Sequence, residues 1–385
     1  MISNSIIVFL SEEEKEEICD FLPKTAKLLS QENTVIIIQL NKMISIKEFL
    51  IEKYTNKSKY SLIEKKNNIY YLSPLLIIPF KRSSKITKLN LYLFFFFFQI
   101  ILKTFFLGKR KFLWMFFPNL SHFLIYFTKD WFVIYDIVDF FSSPNKKKNH
   151  QLKLKKKYLL ERSRLIVSVS HSLKEIYQKI TDKKIFVVPQ GFSKPIKTKV
   201  EPSQTNEVKT IGYIGHINNR FDFNILKKLI ISNKNINFVF VGPIHFEKNI
   251  SQKNIKDNIE WLVSQKNTIL TGEKPKSIIY EYINKFDICI IPYDIQFSFN
   301  KYCYPMKLFE YFYSGKPVIS TPIKELKREK FSSLLYIGEN YEQWQQHIDF
   351  IFNNNHSSIT QKKQKMMALK NSWLNKINSI SKLIE

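Results

Sequence analysis

Glycine is scarce in this chain of 385 residues, with eight in all, and alanine is scarcer still, at Ala26 and Ala368 alone. A chain this poor in glycine keeps it where the backbone needs a left-handed φ or a close approach, so each position is a marker. The cysteines, Cys19, Cys289 and Cys303, lie far apart and form no CxxC pair. That excludes a disulfide framework and a zinc-binding pattern, and reads as a reduced chain. The opening MISNSIIVFLSEEEKEE has no basic stretch ahead of its short apolar run Ile6 to Leu10. It reads as a first buried strand, not as a signal peptide. Acidic residues number 33 against 60 Lys and Arg, a net charge of +27. Such a balance excludes an acidic disordered protein and predicts attraction to polyanions: nucleic acid, anionic lipid or phosphorylated substrates. Part of it belongs with the abundance of Lys, Asn, Ile, Phe and Tyr that AT-rich codons impose.

The length suits two domains, and 44% hydrophobic residues give each a core. Six of the eight glycines fall between Gly212 and Gly338, in TIGYIG, FVFVG, TILTG, SGKPVIST and LLYIG. Short β-branched and aromatic runs that end in glycine, separated by segments of helical period, predict βα units around a parallel sheet. Asp287–Pro292 (DICIIP) adds another buried strand. The glycines then mark the C-terminal strand ends, where α/β sheets bind ligands. In the first half, Ile6–Leu10, Thr34–Leu40, Trp131–Val138 and Leu165–Ser170 read as strands. The polar stretch 193–208 has two prolines and no apolar period, and reads as a linker. The final segment, 361–385, has helical spacing of Met366, Leu369, Trp373, Ile377, Ile380 and Ile384.

From Lys65 to Lys129 there is no acidic residue, against eleven Lys or Arg. Within it lies Leu91–Leu107 (LYLFFFFFQIILKTFFL), and the whole segment 81–117 is apolar with basic flanks. A transmembrane helix of this length reaches only about 25 Å at ~1.5 Å per residue, short of the ~30 Å hydrocarbon core. An internal helix or helix–strand pair, and a surface element seated in an anionic bilayer interface, both remain open. A second basic cluster, Lys146–Lys157, packs seven lysines into twelve residues. It lacks the interleaved aromatic and arginine residues of a nucleic-acid surface, and reads as a solvated loop and helix start.

The segment Tyr302–Thr321, YCYPMKLFEYFYSGKPVIST, carries the chemistry. Pro305 suits a first helical turn and Gly315 a C-terminal cap, predicting a helix of about nine residues. Its N-terminus offers free N–H groups to a phosphate. Lys307 and Glu310 share a face, the lysine placed to neutralise phosphate and the glutamate to accept from ribose hydroxyls. A plain surface pair at i,i+3 is the competing reading. In the first half, Asp136 and Asp139 bracket a strand end; two carboxylates without a third ligand do not make a metal site. Asp139 reads either as an acceptor-side residue or general base, or as a helix cap.

The run Pro305-Met-Lys-Leu-Phe-Glu-Tyr-Phe-Tyr-Ser-Gly-Lys-Pro-Val318 resembles the P-x-K-x-x-E-Y…G-x-P-V signature of group 1, family 4-like glycosyltransferases, in particular the branch of teichuronic-acid-type biosynthesis enzymes. Ile211-Gly-Tyr-Ile-Gly-His-Ile217 with Arg220 and Asp222, Phe240-Val-Gly-Pro243, Val133–Asp139 and Val187–Gly191 resemble further landmarks of the family in the same order. The resemblance implies a GT-B architecture: two Rossmann-like α/β domains with parallel sheets facing across a cleft. It places an acceptor-side domain at 1–192, the linker at 193–208 and a nucleotide-sugar domain at 209–360. The C-terminal helix 361–385 is expected to return to the first domain.

Carried over position by position, Glu310 would hold the donor ribose. Met306, Lys307 and Leu308 would face the diphosphate. Gly215 and His216 would let the backbone approach the phosphates or the transferred sugar, His216 as a catalytic candidate beside Asp139. Arg220 is a further phosphate ligand, Asp222 a helix cap, and Gly272, Glu273 and Lys274 would border the nucleobase. The chain departs from the pattern at Tyr302, where a second glutamate is usual, and at Gln190, where asparagine is usual. The resemblance implies a glycosyltransferase of hexosyltransferase type, retaining, with a nucleotide-diphosphate sugar as donor and a glycan or lipid-linked acceptor in cell-surface polysaccharide synthesis. No cofactor or obligate metal, and no nucleic-acid partner, is expected. The expected location is cytoplasmic, peripheral on the anionic inner face of the plasma membrane. A GT-B sugar-nucleotide epimerase and a non-catalytic basic membrane-binding module are the rival readings.

Overall fold

The computed structural model describes residues 2–12, 21–55, 61–78, 83–143, 145–195, 208–244, 252–354 and 356–385. The chain divides into two units. Unit 1 comprises Met1–Val169, Lys174–Val188 and Lys376–Glu385, and unit 2 comprises Ser170–Leu173 and Pro189–Asn375. This differs from the division expected from sequence at both borders. The Pro189–Phe192 strand exit and residues 361–375 are part of unit 2. Most of the expected linker, 196–207, lies outside the described residues.

Unit 1 holds strands β1 (Ile6–Ser11), β2 (Thr34–Gln39), β3 (Ile44–Ser45), β4 (Ile63–Lys66), β5 (Ile69–Leu72), β6 (Leu75–Leu76), β7 (Lys111–Met115), β8 (Phe132–Ile137), β9 (Leu165–Ser168) and β10 (Ile185–Val187). Its helices are α1 (Phe21–Leu29), α2 (Ile46–Thr55), α3 (Ser84–Phe105), α4 (Lys146–Arg162) and α5 (His171–Gln178), the last with its opening turn in unit 2. The main sheet runs β10-β9-β8-β7-β1-β2-β5-β4 and is parallel except for β4. Its central strands are unbroken apolar runs because both faces are covered: all six residues of β1 are buried. The edge strand β4, Ile-Glu-Lys-Lys, is exposed throughout, and charge at an edge discourages pairing with another chain.

The topology rules out the transmembrane reading of the phenylalanine-rich segment. β5 before α3 and β7 after it belong to the same sheet, so α3 is a crossover helix whose two ends return to one domain. It buries Leu91, Phe95, Phe98 and Leu102, a stripe at helical spacing. Phe95 stacks on Tyr126 with ring centres 4.7 Å apart. Gln99, the polar residue in the run, donates to the Tyr126 carbonyl at 3.3 Å and accepts from Trp131 Nε1 at 3.2 Å. Asn90 brackets Ile78, accepting its N–H at 2.8 Å and donating to its carbonyl at 2.9 Å. With the strand β7 that follows, the segment takes the helix–strand form of the internal reading, although β7 was not delimited from sequence.

Unit 2 holds strands β11 (Thr210–Ile214), β12 (Asn237–Val241), β13 (Thr268–Leu270), β14 (Ile288–Ile291), β15 (Val318–Ser320) and β16 (Tyr336–Ile337). Its helices are α6 (Phe223–Ser232), α7 (Gln252–Ser264), α8 (Ile279–Lys285), α9 (Ser298–Tyr302), α10 (Lys307–Tyr313), α11 (Tyr341–Asn353) and α12 (Ser358–Lys370). The final helix, α13 (Trp373–Lys382), begins in unit 2 and ends in unit 1. The parallel sheet runs β13-β12-β11-β14-β15-β16, so the strand order reverses between β11 and β14.

The single terminal helix expected from the spacing is two. It breaks at Asn371-Ser372, where Ser372 pairs with Phe192 and the Asn371 carbonyl accepts the Phe192 N–H at 2.6 Å. Gly191 is required there: a Cβ on it would stand 2.2 Å from the Trp373 ring.

Candidate functional site

An open parallel sheet leaves a crevice beyond its C-terminal edge where the strand order reverses. In unit 2 that place lies between the ends of β11 and β14, and the scarce glycines line its approach. Gly215 follows β11 with φ +125°, Gly242 follows β12 with φ +145°, and Gly272 follows β13 with φ +70°. The ladder continues past the strands: Gly215 N–H donates to Val241 O at 2.9 Å, and Gly242 N–H to Gly272 O at 3.0 Å. A Cβ on Gly242 would stand 2.2 Å from the Gly215 carbonyl oxygen, and one on Gly215 would stand 2.7 Å from Lys307 Nζ. The crowding brings backbone and ammonium together at the switch point.

The cations there are held by aromatic faces. Lys307 Nζ lies 3.7 Å from the centre of the Tyr213 ring and 5.1 Å from that of Tyr293. The Arg220 guanidinium lies 4.3 Å from the Tyr293 ring and 4.5 Å from that of Phe299. Its Nε donates to Asn300 Oδ1 at 2.7 Å. Asn300 is buried and returns its amide to the Arg220 carbonyl at 3.0 Å and the Asp294 carbonyl at 2.8 Å, which fixes the arginine's own loop. Burial lowers the Lys307 ammonium below the usual lysine value, and Arg220 adds to that against the pull of the Tyr293 phenol. Burial works to raise Tyr293, but Lys307 and Arg220 outweigh it and hold the phenol below its ordinary value. Two cations concentrated beside one buried phenol give this place a positive character that suits an anion.

The helix α10 is shorter than expected, seven residues from Lys307, with Met306 as its cap. The Leu308 N–H is already engaged by the Pro305 carbonyl at 3.2 Å, and the Leu308 side chain is fully buried. Leu308 therefore supplies packing and no amide, correcting the expectation that it faces the diphosphate. The positive charge of the site resides in Lys307 and Arg220 more than in the end of so short a helix. Tyr311 anchors α10, its hydroxyl accepting the Ile214 N–H at 2.9 Å at the last residue of β11. Glu310, on the next turn from Lys307, is half-buried. Its charge adds to the burial that raises the Tyr280 phenol.

With this geometry in view, residues 208–354 match the family described as Glycosyl transferases group 1. That stretch, most of unit 2, is similar to the group 1 glycosyltransferases. A Bacillus subtilis (strain 168) protein, TuaH, named as a teichuronic acid biosynthesis glycosyltransferase, is 27% identical over 261 residues, which span 63% of this chain and 62% of that relative. Among solved structures, a glycosyltransferase from Rickettsia africae is 18% identical, with a TM-score of 0.67 over 98% of this chain and 97% of its own. Anabaena HepE in complex with UDP is 10% identical, with a TM-score of 0.69 over 99% of both chains. At these identities the solved structures establish the fold, which is GT-B.

Unit 2 gathers Gly215, Arg220, Met306, Lys307 and Glu310 near the β11/β14 switch point. Asp222 caps α6, accepting the N–H groups of Asn224 and Ile225, each at 3.1 Å. His216 is exposed just beyond Gly215, and its carbonyl accepts the Tyr213 hydroxyl at 3.0 Å. Gly272, Glu273 and Lys274 follow β13 two strands from the switch point, with Gly272 and Glu273 exposed. Tyr302, at the position of the missing second glutamate, ends α9 with the ammonium groups of Lys301 and Lys324 at 6.0 and 5.6 Å from its ring. Tyr213, Tyr293 and Asn300 were not anticipated. Tyr293 could have been: it directly follows the strand-ending Pro292 on the same sheet edge.

In unit 1, Asp136 and Asp139 separate in role. Asp136 is fully buried and pairs with Lys376 Nζ at 2.8 Å, the lysine being 1% exposed. The pair is part of the core of unit 1; among the described residues no group of three His, Cys, Asp or Glu comes together to hold an ion. Asp139 is half-buried in the loop after β8, near Tyr177, whose phenol is raised by burial and further by the Asp139 charge. The α4 residue Lys156 donates to the Phe141 carbonyl and so holds this loop.

Proposed function

We propose that the chain moves a glycosyl group from a nucleoside diphosphate sugar, a UDP-sugar, to a glycan or lipid-linked acceptor in cell-surface polysaccharide synthesis, with retention at the anomeric carbon. The observation that carries this reading is the pairing of Lys307 and Arg220 at the β11/β14 switch point, against glycines that permit no Cβ. In the reaction, the bond between the anomeric carbon and the diphosphate oxygen breaks and its electron pair stays with the diphosphate. The two cations neutralise that charge as it develops, the part a divalent metal takes in other transferases. Glu310 accepts from the donor ribose, and Gly215 leaves room for the phosphates and His216. The acceptor hydroxyl forms the new bond to the anomeric carbon from the face the diphosphate leaves, as retention requires, and its proton passes to a departing diphosphate oxygen; Asp139 is the candidate acceptor-side carboxylate. The naming of TuaH for teichuronic acid biosynthesis and the UDP held by HepE support the donor and the polysaccharide context.

A UDP titration tests the donor site. Glu310→Ala is expected to weaken UDP affinity about tenfold or more, since a hydrogen bond to a charged group contributes roughly 1.5–3 kcal/mol. Glu342→Ala, altering an exposed acid on α11, should leave it unchanged. Equal affinities in all three proteins would sink the assignment. Release of UDP without an acceptor product, accompanied by an altered sugar epimer, would favour an epimerase.

A further inference from the structure

The outward face of α3 is as apolar as its buried one. Tyr92, Phe96, Phe97, Ile100 and Phe105 are exposed, Phe105 to 74%, and Leu107 in the following turn to 88%. An ordinary surface helix turns polar residues outward, and monomeric proteins seldom leave a contiguous apolar patch of this kind bare. The charges on it and next to it in sequence are of one sign. Lys85 and Lys88 are exposed on its first turns, Lys103 near its end, and Lys109 and Arg110 follow. The stretch 65–129 contributes no acidic residue to offset them.

An occupant must therefore be apolar in its depth and negative at its rim. A second copy of this chain would set the same cations against each other. A bilayer with anionic headgroups supplies both features. Spanning is excluded, because β5 and β7 at the two ends of the crossover lie in one sheet. Lying flat, the 22 residues of α3 extend about 33 Å at ~1.5 Å each. We propose that α3 is an in-plane membrane anchor, its phenylalanine stripe at the acyl boundary and its lysines among anionic headgroups. This deepens the transferase reading by naming the surface on which a lipid-linked acceptor is met, and it rests on that reading only for the acceptor.

Flotation of the full chain tests the proposal, with vesicles of phosphatidylcholine alone and of an equimolar phosphatidylcholine–phosphatidylglycerol mixture. The protein should float with the anionic vesicles and stay below with the neutral ones, and added salt should cut the bound fraction severalfold. Phe96→Asp with Phe97→Asp should lower anionic-vesicle binding at least tenfold while UDP-dependent thermal stabilisation stays at the unaltered protein's level. Lys85→Glu with Lys88→Glu should lower binding severalfold. Phe97→Trp should shift its emission to the blue on vesicle addition and be quenched by brominated lipid. The proposal is overturned if the unaltered chain floats with neither vesicle, if the Phe96/Phe97 variant floats as well as it does, or if the tryptophan stays unquenched. Self-association abolished by the Phe96/Phe97 variant would likewise overturn it, in favour of a dimer. Vesicle binding without any UDP binding would sink the transferase reading and leave the anchor standing.

Discussion

Gly242 shows how much a single hydrogen atom in place of a methyl group decides here. Its φ of +145° is one that side chains rarely adopt, and a Cβ would lie 2.2 Å from a backbone oxygen that cannot rotate aside. Gly242→Ala must push back the Gly215 loop, and with it the cations on Tyr213 and Tyr293. The expected cost is about 1–3 kcal/mol of stability, the range for local backbone strain, with UDP affinity reduced about tenfold. Gly108 is the contrast: φ is +79° but nothing lies within 4 Å of its Cβ position. Gly108→Ala should cost about 1–2 kcal/mol and leave nucleotide affinity alone. Denaturant melts and UDP titrations of both variants decide the matter, and a Gly242→Ala protein binding UDP normally would contradict it. The strand-ending glycines were legible because a chain rich in Phe and Lys keeps so few. Asn300 was not legible, because a buried amide that orients an arginine 80 positions away leaves no periodic trace.

At the scale of elements, sequence patterning succeeded where apolar runs are bounded and failed where they are continuous. β11, β12 and β13 stand between polar segments and end within two residues of a glycine. β7 (Lys-Phe-Leu-Trp-Met) sits in a stretch, Leu89 to Phe127, dominated by aromatic and aliphatic residues with only scattered polar ones, so neither period stands out. The terminal helix pattern likewise ran through Asn371-Ser372, since the break comes from a distant partner, Phe192. The lysine-rich α4 shows the opposite failure, for one of its seemingly solvated lysines is buried. Lys156 lies over the rings of Phe140 and Tyr177, 5.0 and 5.1 Å from their centres, and burial brings its pKa down to about 8. The folded state then releases a proton that the unfolded chain keeps until about 10.4. Between about pH 8 and 10.4 the unfolded chain binds more protons, so this residue's contribution makes stability rise with pH. The stability difference between the unaltered protein and Lys156→Met should therefore grow in favour of the former from pH 7 to pH 10, by up to about 1.4 kcal/mol per unit. Parallel curves would mean that the ammonium is solvated in the folded state.

Across the whole molecule, two units with separate cores are joined by a chain that returns to the first at its end, and Lys376 marks the return. Its pair with Asp136 is buried on both sides. Burial raises the Asp136 carboxyl and lowers the Lys376 ammonium, so for each group desolvation outweighs the attraction of its partner. Such a pair adds little net stability, yet breaking one half leaves a bare charge in the core, at a cost of about 3–5 kcal/mol. Lys376→Met should therefore lower the melting of unit 1 and spare that of unit 2. Adding Asp136→Asn should restore most of the loss, because the remaining amide carries no charge to desolvate. Calorimetry separates the cases: UDP should raise the transition of unit 2, where Lys307 and Arg220 lie, and the Lys376→Met step should appear in the other one. A single transition moved equally by UDP and by Lys376→Met would show that the two cores melt as one, and that the division into units does not extend to their energetics.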